Sequence, residues 1–259
     1  MPDAWLRVVK PAGITETICR WCRILGKQLR WPIVGCVRFG DFRRVQPISR
    51  VFGLDRGERA QCIDRYYIEE FLSVRASDIR GHVLEIAEDT YTVRFGKGHV
   101  AHRDVLHVND TNPRATLIAD LTKADNIPGN SFDCIICTQT LQFIYDVEAA
   151  VRTLHRILRP GGVLLATLAG ISQISRYDME RWGDYWRFTT KSVERLMAEV
   201  WPSQSVEIHA CGNVLAAVAY LQGLTISELT KAELDSHDPD YQLVLTVRAV
   251  KSLDSGESA

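Results

Sequence analysis

The sequence predicts an α/β fold, a doubly wound and mostly parallel sheet with helices on both faces, and three observations predict it. Short apolar runs alternate with helical ones from His82 onward, the pattern of a strand–helix–strand chain. Acidic residues fall near the ends of successive runs, at Glu85, Asp104 and Asp120, where an open parallel sheet places its ligands. The junction Arg159-Pro160-Gly161-Gly162 joins a helix stop to a sharp turn into the next strand.

At 259 residues the chain suits one large domain or two small ones. Its 46% hydrophobic and 24% charged residues are ordinary for a globular protein and exclude a disordered chain, a collagen or a disulfide-stapled miniprotein. No window approaches the roughly 18 uninterrupted apolar residues of a membrane span. Met1-Pro2-Asp3-Ala4-Trp5 lacks the basic-then-apolar pattern of a secretory signal, so a cytoplasmic location is expected. Seven cysteines, an odd number, argue against a disulfide framework. Of the two C-x-x-C pairs, Cys134/Cys137 lies on an expected strand, which points the two thiols to opposite faces, so no metal site is expected.

The net charge of −1 hides an asymmetry. Residues 1–50 carry ten Lys/Arg against three acids, a net +7 that leaves −8 on the rest. We read 1–58 as a basic helical N-terminal extension, 59–250 as the α/β domain and 251–259 as a disordered tail.

Taken in order, Ile14, Ile18, Trp21, Cys22, Leu25 and Leu29 recur at helical spacing until Pro32 stops them. A second helix follows near Ile63–Leu72, with Ile63, Tyr67 and Phe71 on one face. Strands are expected at His82–Ile86, Val100–Val108, Thr116–Ala119, Cys134–Cys137 and Val163–Leu168, with a helix at Val147–Leu158 before the last of these. A helix near Lys191–Val200, a strand at Val206–Ala210, a helix at Val214–Leu221 and a strand at Gln242–Val250 complete the chain. Residues just past each strand are the ones to inspect. Asp104, nineteen residues beyond Glu85, suits the two hydroxyls of a ribose, because a carboxylate accepts two hydrogen bonds side by side. Asp120 suits an exocyclic amine of a purine, with Leu121 packing on its ring.

Four stretches carry a family resemblance: Val83-Leu84-Glu85-Ile86, Asp120-Leu121, Asn130-Ser131-Phe132-Asp133-Cys134-Ile135-Ile136, and Leu154-His155-Arg156-Ile157-Leu158-Arg159-Pro160-Gly161-Gly162. Over residues 60–250 the chain resembles the class I S-adenosylmethionine-dependent methyltransferases. The resemblance implies a Rossmann-like sheet of seven strands with an antiparallel last strand, and S-adenosyl-L-methionine as cofactor. It places the first-strand acid at Glu85, the methionine-contacting loop at Ala87, Glu88 and Thr90, and the ribose on Asp104 with Val105 beside the adenine. Asp120 and Leu121 would contact the ring, and Thr138 and Gln139 would line the cofactor near its methyl group. Where the family has a glycine-rich loop, this sequence has Ala87-Glu88-Asp89-Thr90-Tyr91-Thr92. Where many relatives have a histidine, it has Phe143.

The resemblance implies methyl transfer to a small-molecule acceptor, here an oxygen of a sugar-like or phenolic metabolite. Acceptor contacts are expected from Ser172–Phe188, which places Trp182, Tyr185, Trp186 and Phe188 among alternating charges. Arg176, Tyr185 and Trp186 are the candidates there, and the same aromatics would equally serve to pin the loop. Asp178, Asp184, Tyr185 and His209 are alternative bases, and none is singled out. Arg65 is placed to pair the cofactor carboxylate. The loop without glycine keeps a second reading open, a non-catalytic binding or scaffolding protein of the same fold. A nicotinamide enzyme would need a G-x-G-x-x-G turn that Ala87–Thr92 does not provide. Nucleic acid is not expected as a partner. The basic helix Ile14–Leu29 is expected to lie on an acidic membrane surface or to cover the acceptor cleft.

Overall fold

The structure is a computed structural model that describes residues 40–57 and 60–253. The chain divides into two compact units, Met1–Gln46 and Pro47–Ala259. Of the first unit, only residues 40–46 are described, and they form a 3-10 turn at Gly40–Phe42 with the Arg43 N–H donating to Gly40 O at 3.1 Å. The expected basic helix with its membrane or cleft contact, the Cys19/Cys22 pair and the tail from 254 lie outside the described residues.

In the second unit seven strands form one sheet in the order β3-β2-β1-β4-β5-β7-β6. They are β1 (Gly81–Ile86), β2 (Val100–His107), β3 (Leu117–Ile118), β4 (Phe132–Thr138), β5 (Leu158–Ala169), β6 (Val206–Cys211) and β7 (Val244–Val250). The pairs among β1 to β5 are parallel, and β7 runs antiparallel between β5 and β6. Parallel strands covered on both faces read as continuous apolar runs, and β4 buries all of Cys134-Ile135-Ile136-Cys137. Cys137 joins the main core cluster and Cys134 does not, as opposite faces require. Among the described residues no group of His, Cys, Asp or Glu is placed to hold a metal ion.

The helices are α1 (Ile63–Val74), α2 (Thr90–Gly96), α3 (Val147–Ile157), α4 (Arg176–Met179), α5 (Thr190–Met197), α6 (Val214–Leu221) and α7 (Lys231–Asp235). In α3 the apolar positions Ala150, Val151, Leu154 and Ile157 fall one turn apart and are wholly buried against the sheet. Each large aliphatic among them contributes about 1.5–3 kcal/mol. Asp146 starts this helix by accepting the Ala149 N–H at 3.0 Å. Its end runs directly into β5, which begins at Leu158, so Pro160-Gly161-Gly162 lies in the opening of the strand rather than before it. Lys251 seals the junction, its Nζ donating to Leu158 O and Asn130 Oδ1, both at 2.8 Å. Arg248 on β7 binds Asp78 at 2.8 Å and Glu207 at 3.1 Å, tying β7 to β6 and to the turn before β1.

Two features place the ligand edge. The strand β6 parallels β5, with Cys211 opposite Val244 and Val244 opposite Ala169, so the connection carrying α6 and α7 leaves the sheet beside the loops after β1, β4 and β5. The segment after Pro47 is moored to that edge: the Ile48 and Ser49 N–H groups donate to Gln222 O at 2.9 and 3.0 Å, and Gln173 Nε2 donates to Arg50 O at 2.8 Å. Gly223, at φ +69°, permits this approach, because a Cβ there would strike the Ser49 backbone.

Candidate active site

The loop after β1 begins at Ala87, an exposed residue at φ +71°, where a Cβ is disfavoured. Its N–H donates to Leu106 O at 2.9 Å, and its carbonyl accepts from Asn112 Nδ2 at 2.6 Å. Beneath it lies Glu85, 4% exposed, whose carboxylate accepts the Tyr91 N–H at 3.1 Å and the Thr92 N–H at 2.7 Å. Burial pushes the Glu85 carboxyl up, and these helix N–H groups pull it back. Glu85 therefore fixes the first turn of α2 instead of facing the cleft. Glu88 and Thr90 are exposed on the loop and bond to each other at 2.8 Å.

The expected ribose ligand is displaced. Asp104 is not at a strand end: it lies inside β2 opposite Leu84, and β2 continues to His107. Both its oxygens are occupied, one by His82 Nε2 at 2.6 Å and one by Thr116 Oγ1 at 2.6 Å. Val105, 4% exposed, is likewise core of the strand. The residues that follow β2 are Val108, Asn109 and Asp110, and Asp110 is exposed. The expected strand Val100–Val108 already ended here, and the turn-forming run Asn109-Asp110-Thr111-Asn112-Pro113 marks the same point.

Asp120 follows β3 as expected and is exposed, with Leu121 buried behind it. Its Oδ1 accepts the Thr122 N–H at 2.8 Å and the Thr122 hydroxyl at 2.9 Å, and Oδ2 has no partner among the described residues. Thr138 ends β4, and Gln139 turns the chain at φ +47°, its N–H donating to Thr167 O at 2.9 Å. A 3-10 turn at Leu141–Phe143 follows. The Gln142 carbonyl there accepts the Tyr185 N–H at 2.9 Å and the Trp186 N–H at 3.3 Å. Those two bonds clamp the segment after β5 onto the loop after β4. Tyr145, which sequence reasoning missed, stacks on Trp186 at 5.9 Å and meets Tyr185 edge-on at 5.4 Å.

The post-β5 segment also holds itself. Arg187 binds the Asp184 carboxylate through two nitrogens, and Asp184 also accepts the Ser175 N–H at 3.0 Å. The Asp178 carboxylate accepts the Ser175 hydroxyl at 2.5 Å. Asp178 and Asp184 are thus structural acids of the loop. Arg176 opens α4 as an exposed cation. Trp182 meets His107 edge-on at 5.6 Å, so this segment reaches the end of β2.

Helix α1 contributes Arg65, whose Nη1 donates to Tyr91 Oη at 2.7 Å beside the β1 loop. Desolvation works against its charge, and the neighbouring Asp64 carboxylate and Tyr91 outweigh that, so the guanidinium stays protonated. Asp64 is itself buried, which raises its carboxyl, while the Arg65 charge and N–H lower it. A cavity of about 850 Å³ lies at the opposite edge of the sheet, lined by Arg80, His99, Asp133, Pro160 and Lys251. Two of its charged groups are already matched, Asp133 by Arg159 and Lys251 by Leu158 O and Asn130.

Residues 57–166 match the protein family described as a methyltransferase domain. No curated protein matches the chain by sequence. Among solved structures, the chain is similar to the N-methyltransferase NodS of Bradyrhizobium japonicum, at 19% identity over 79% of this chain and 96% of that one, with a TM-score of 0.47. It is also similar to an S-adenosylmethionine-dependent methyltransferase of Archaeoglobus fulgidus, at 9% identity over 72% and 94%, with a TM-score of 0.48. One from Mesorhizobium loti gives 17% identity over 73% and 98%, with a TM-score of 0.47. Similarity at this level says nothing of the acceptor.

Proposed function

We propose that this chain is a class I S-adenosylmethionine-dependent methyltransferase and that it methylates an oxygen of a small sugar-like or phenolic molecule. The observation that carries the acceptor reading is the exposed ring cluster Tyr145, Tyr185 and Trp186, clamped by Gln142 to the carboxyl end of β4.

The residues at this edge fit the cofactor by their chemistry. Asp120 Oδ2, without a partner among the described residues, and the exposed carboxylate of Asp110 suit hydroxyl and amine donors, and Arg65 suits a carboxylate. When bound, S-adenosylmethionine supplies a methyl group on a sulfonium, already an excellent leaving group. The chain's own task is therefore to hold the acceptor oxygen in line and to exclude water. Tyr145, Tyr185 and Trp186 would orient the acceptor ring, and the Gln142 carbonyl anchors the backbone of Tyr185 and Trp186. Asp178 and Asp184 are engaged within the loop, which argues against either as the base.

Calorimetric titration with S-adenosylmethionine and S-adenosylhomocysteine tests this reading. Saturable binding of both is expected, weakened about tenfold by Asp120→Asn. Methyl transfer is then assayed on phenols and glycosides. Absence of saturable cofactor binding would overturn the proposal.

A further inference from the structure

We infer that the acceptor is a carbohydrate, gripped by the Gln139–Gln142 amide pair against the rings of Tyr145, Tyr185 and Trp186; this rests on the methyltransferase reading above and narrows its acceptor. The two amides bond to each other, Gln142 Nε2 donating to Gln139 Oε1 at 3.0 Å. That leaves Gln139 Nε2 as a buried donor and Gln142 Oε1 as a buried acceptor, neither with a partner among the described residues. Turning both amides over exchanges the roles and preserves the count, one donor and one acceptor unmatched. Gln142 is only 4% exposed, and unmatched polar groups at such depth are costly.

A single group that answers both atoms must donate and accept at once. An ammonium only donates, and a carboxylate or phosphate only accepts, so each would leave half of the pair unmet. A hydroxyl meets both. Gln139 is half-exposed, and the terminal torsion of a glutamine is soft, so its amide can turn toward a ligand without moving the backbone.

The rings decide between kinds of hydroxyl. Tyr145 is 71% exposed, Tyr185 48% and Trp186 37%, a contiguous aromatic patch beside the loop after β4. The polar edges of two of them are spent: Trp186 Nε1 donates to Ile144 O at 3.0 Å, and Tyr185 Oη to Trp182 O at 3.1 Å. Their faces are what remain to bind with. A sugar offers C–H faces to rings and neighbouring hydroxyls to amides, whereas a simple phenol offers one hydroxyl in the plane of its ring. Gln142 links the amides to the ring-bearing segment, because its backbone carbonyl holds the Tyr185 and Trp186 N–H groups.

The test uses the protein saturated with S-adenosylhomocysteine, its glutamine side chains labelled for NMR. It is titrated with the methyl glycosides of glucose, galactose, mannose and rhamnose, and with phenol and catechol. At least one glycoside is expected to shift the Gln139 and Gln142 amide signals saturably. Gln142→Leu should abolish that response, and Tyr145→Ala, a surface change that leaves folding intact, should weaken it about tenfold. If no glycoside moves these signals, or only the phenols do, the carbohydrate inference is overturned. Failure to bind S-adenosylhomocysteine at all would instead sink the methyltransferase reading.

Discussion

Ala87 shows how one methyl group bears on a binding loop. At φ +71° its Cβ crowds the backbone, a strain of about 1–2 kcal/mol that glycine lacks, partly offset by glycine's greater chain entropy. Ala87→Gly should therefore leave stability unchanged or raise it by up to about 1 kcal/mol, read from urea midpoints. It should also tighten cofactor binding in the same calorimetric titration, since the loop backbone can then approach the ligand more closely. Glu85 stands beside it as the residue whose identity was readable and whose action was not. An acid at the end of β1 is visible in the sequence, but its two bonds to the Tyr91 and Thr92 N–H groups exist only once α2 has folded over it.

Among the elements, α3 depends most plainly on a single cap. Asp146→Ala leaves the Ala149 N–H without its acceptor and should cost about 1 kcal/mol, moving the denaturation midpoint while the slope with denaturant stays the same. The elements were largely legible because their periodicity is carried by buried residues. The helix Val214–Leu221 stands at its expected bounds, and the β4 run differs from expectation only in extending to Phe132 and Thr138. The end of β2 was legible too, expected at Val108 and found at His107, but the ligand assigned to it was not. Asp104 was placed by counting from Glu85, yet β2 continues past it to His107, and a carboxylate inside a strand finds partners across the sheet before it finds a ligand. Tyr145 was missed for a different reason. Its partners Tyr185 and Trp186 lie far along the chain, and only the adjacency of β4 and β5 brings them together.

On the scale of the whole molecule, response to acid follows from the edge opposite the candidate site. There Asp133 accepts the His82 N–H and the Arg159 guanidinium, both at 2.7 Å, joining β4 to β1 and β5. Burial alone would raise its carboxyl, but these partners outweigh it and hold it below the usual value. A carboxyl depressed on folding stabilises the folded state above its unfolded value, about 4, and that contribution fades as pH falls through the depressed one. Asp133→Asn should therefore be less stable than the parent near neutral pH, and the gap should close in acid, measured by urea denaturation across that range. The antiparallel course of β7 has a practical corollary. By doubling back between β5 and β6 it delivers Leu253 to that same far edge, beside Gly81 and Val163. A dye or a chip tether coupled there would leave the carboxyl ends of β1, β4 and β5 unobstructed, so surface-bound protein should report ligands as faithfully as protein free in solution.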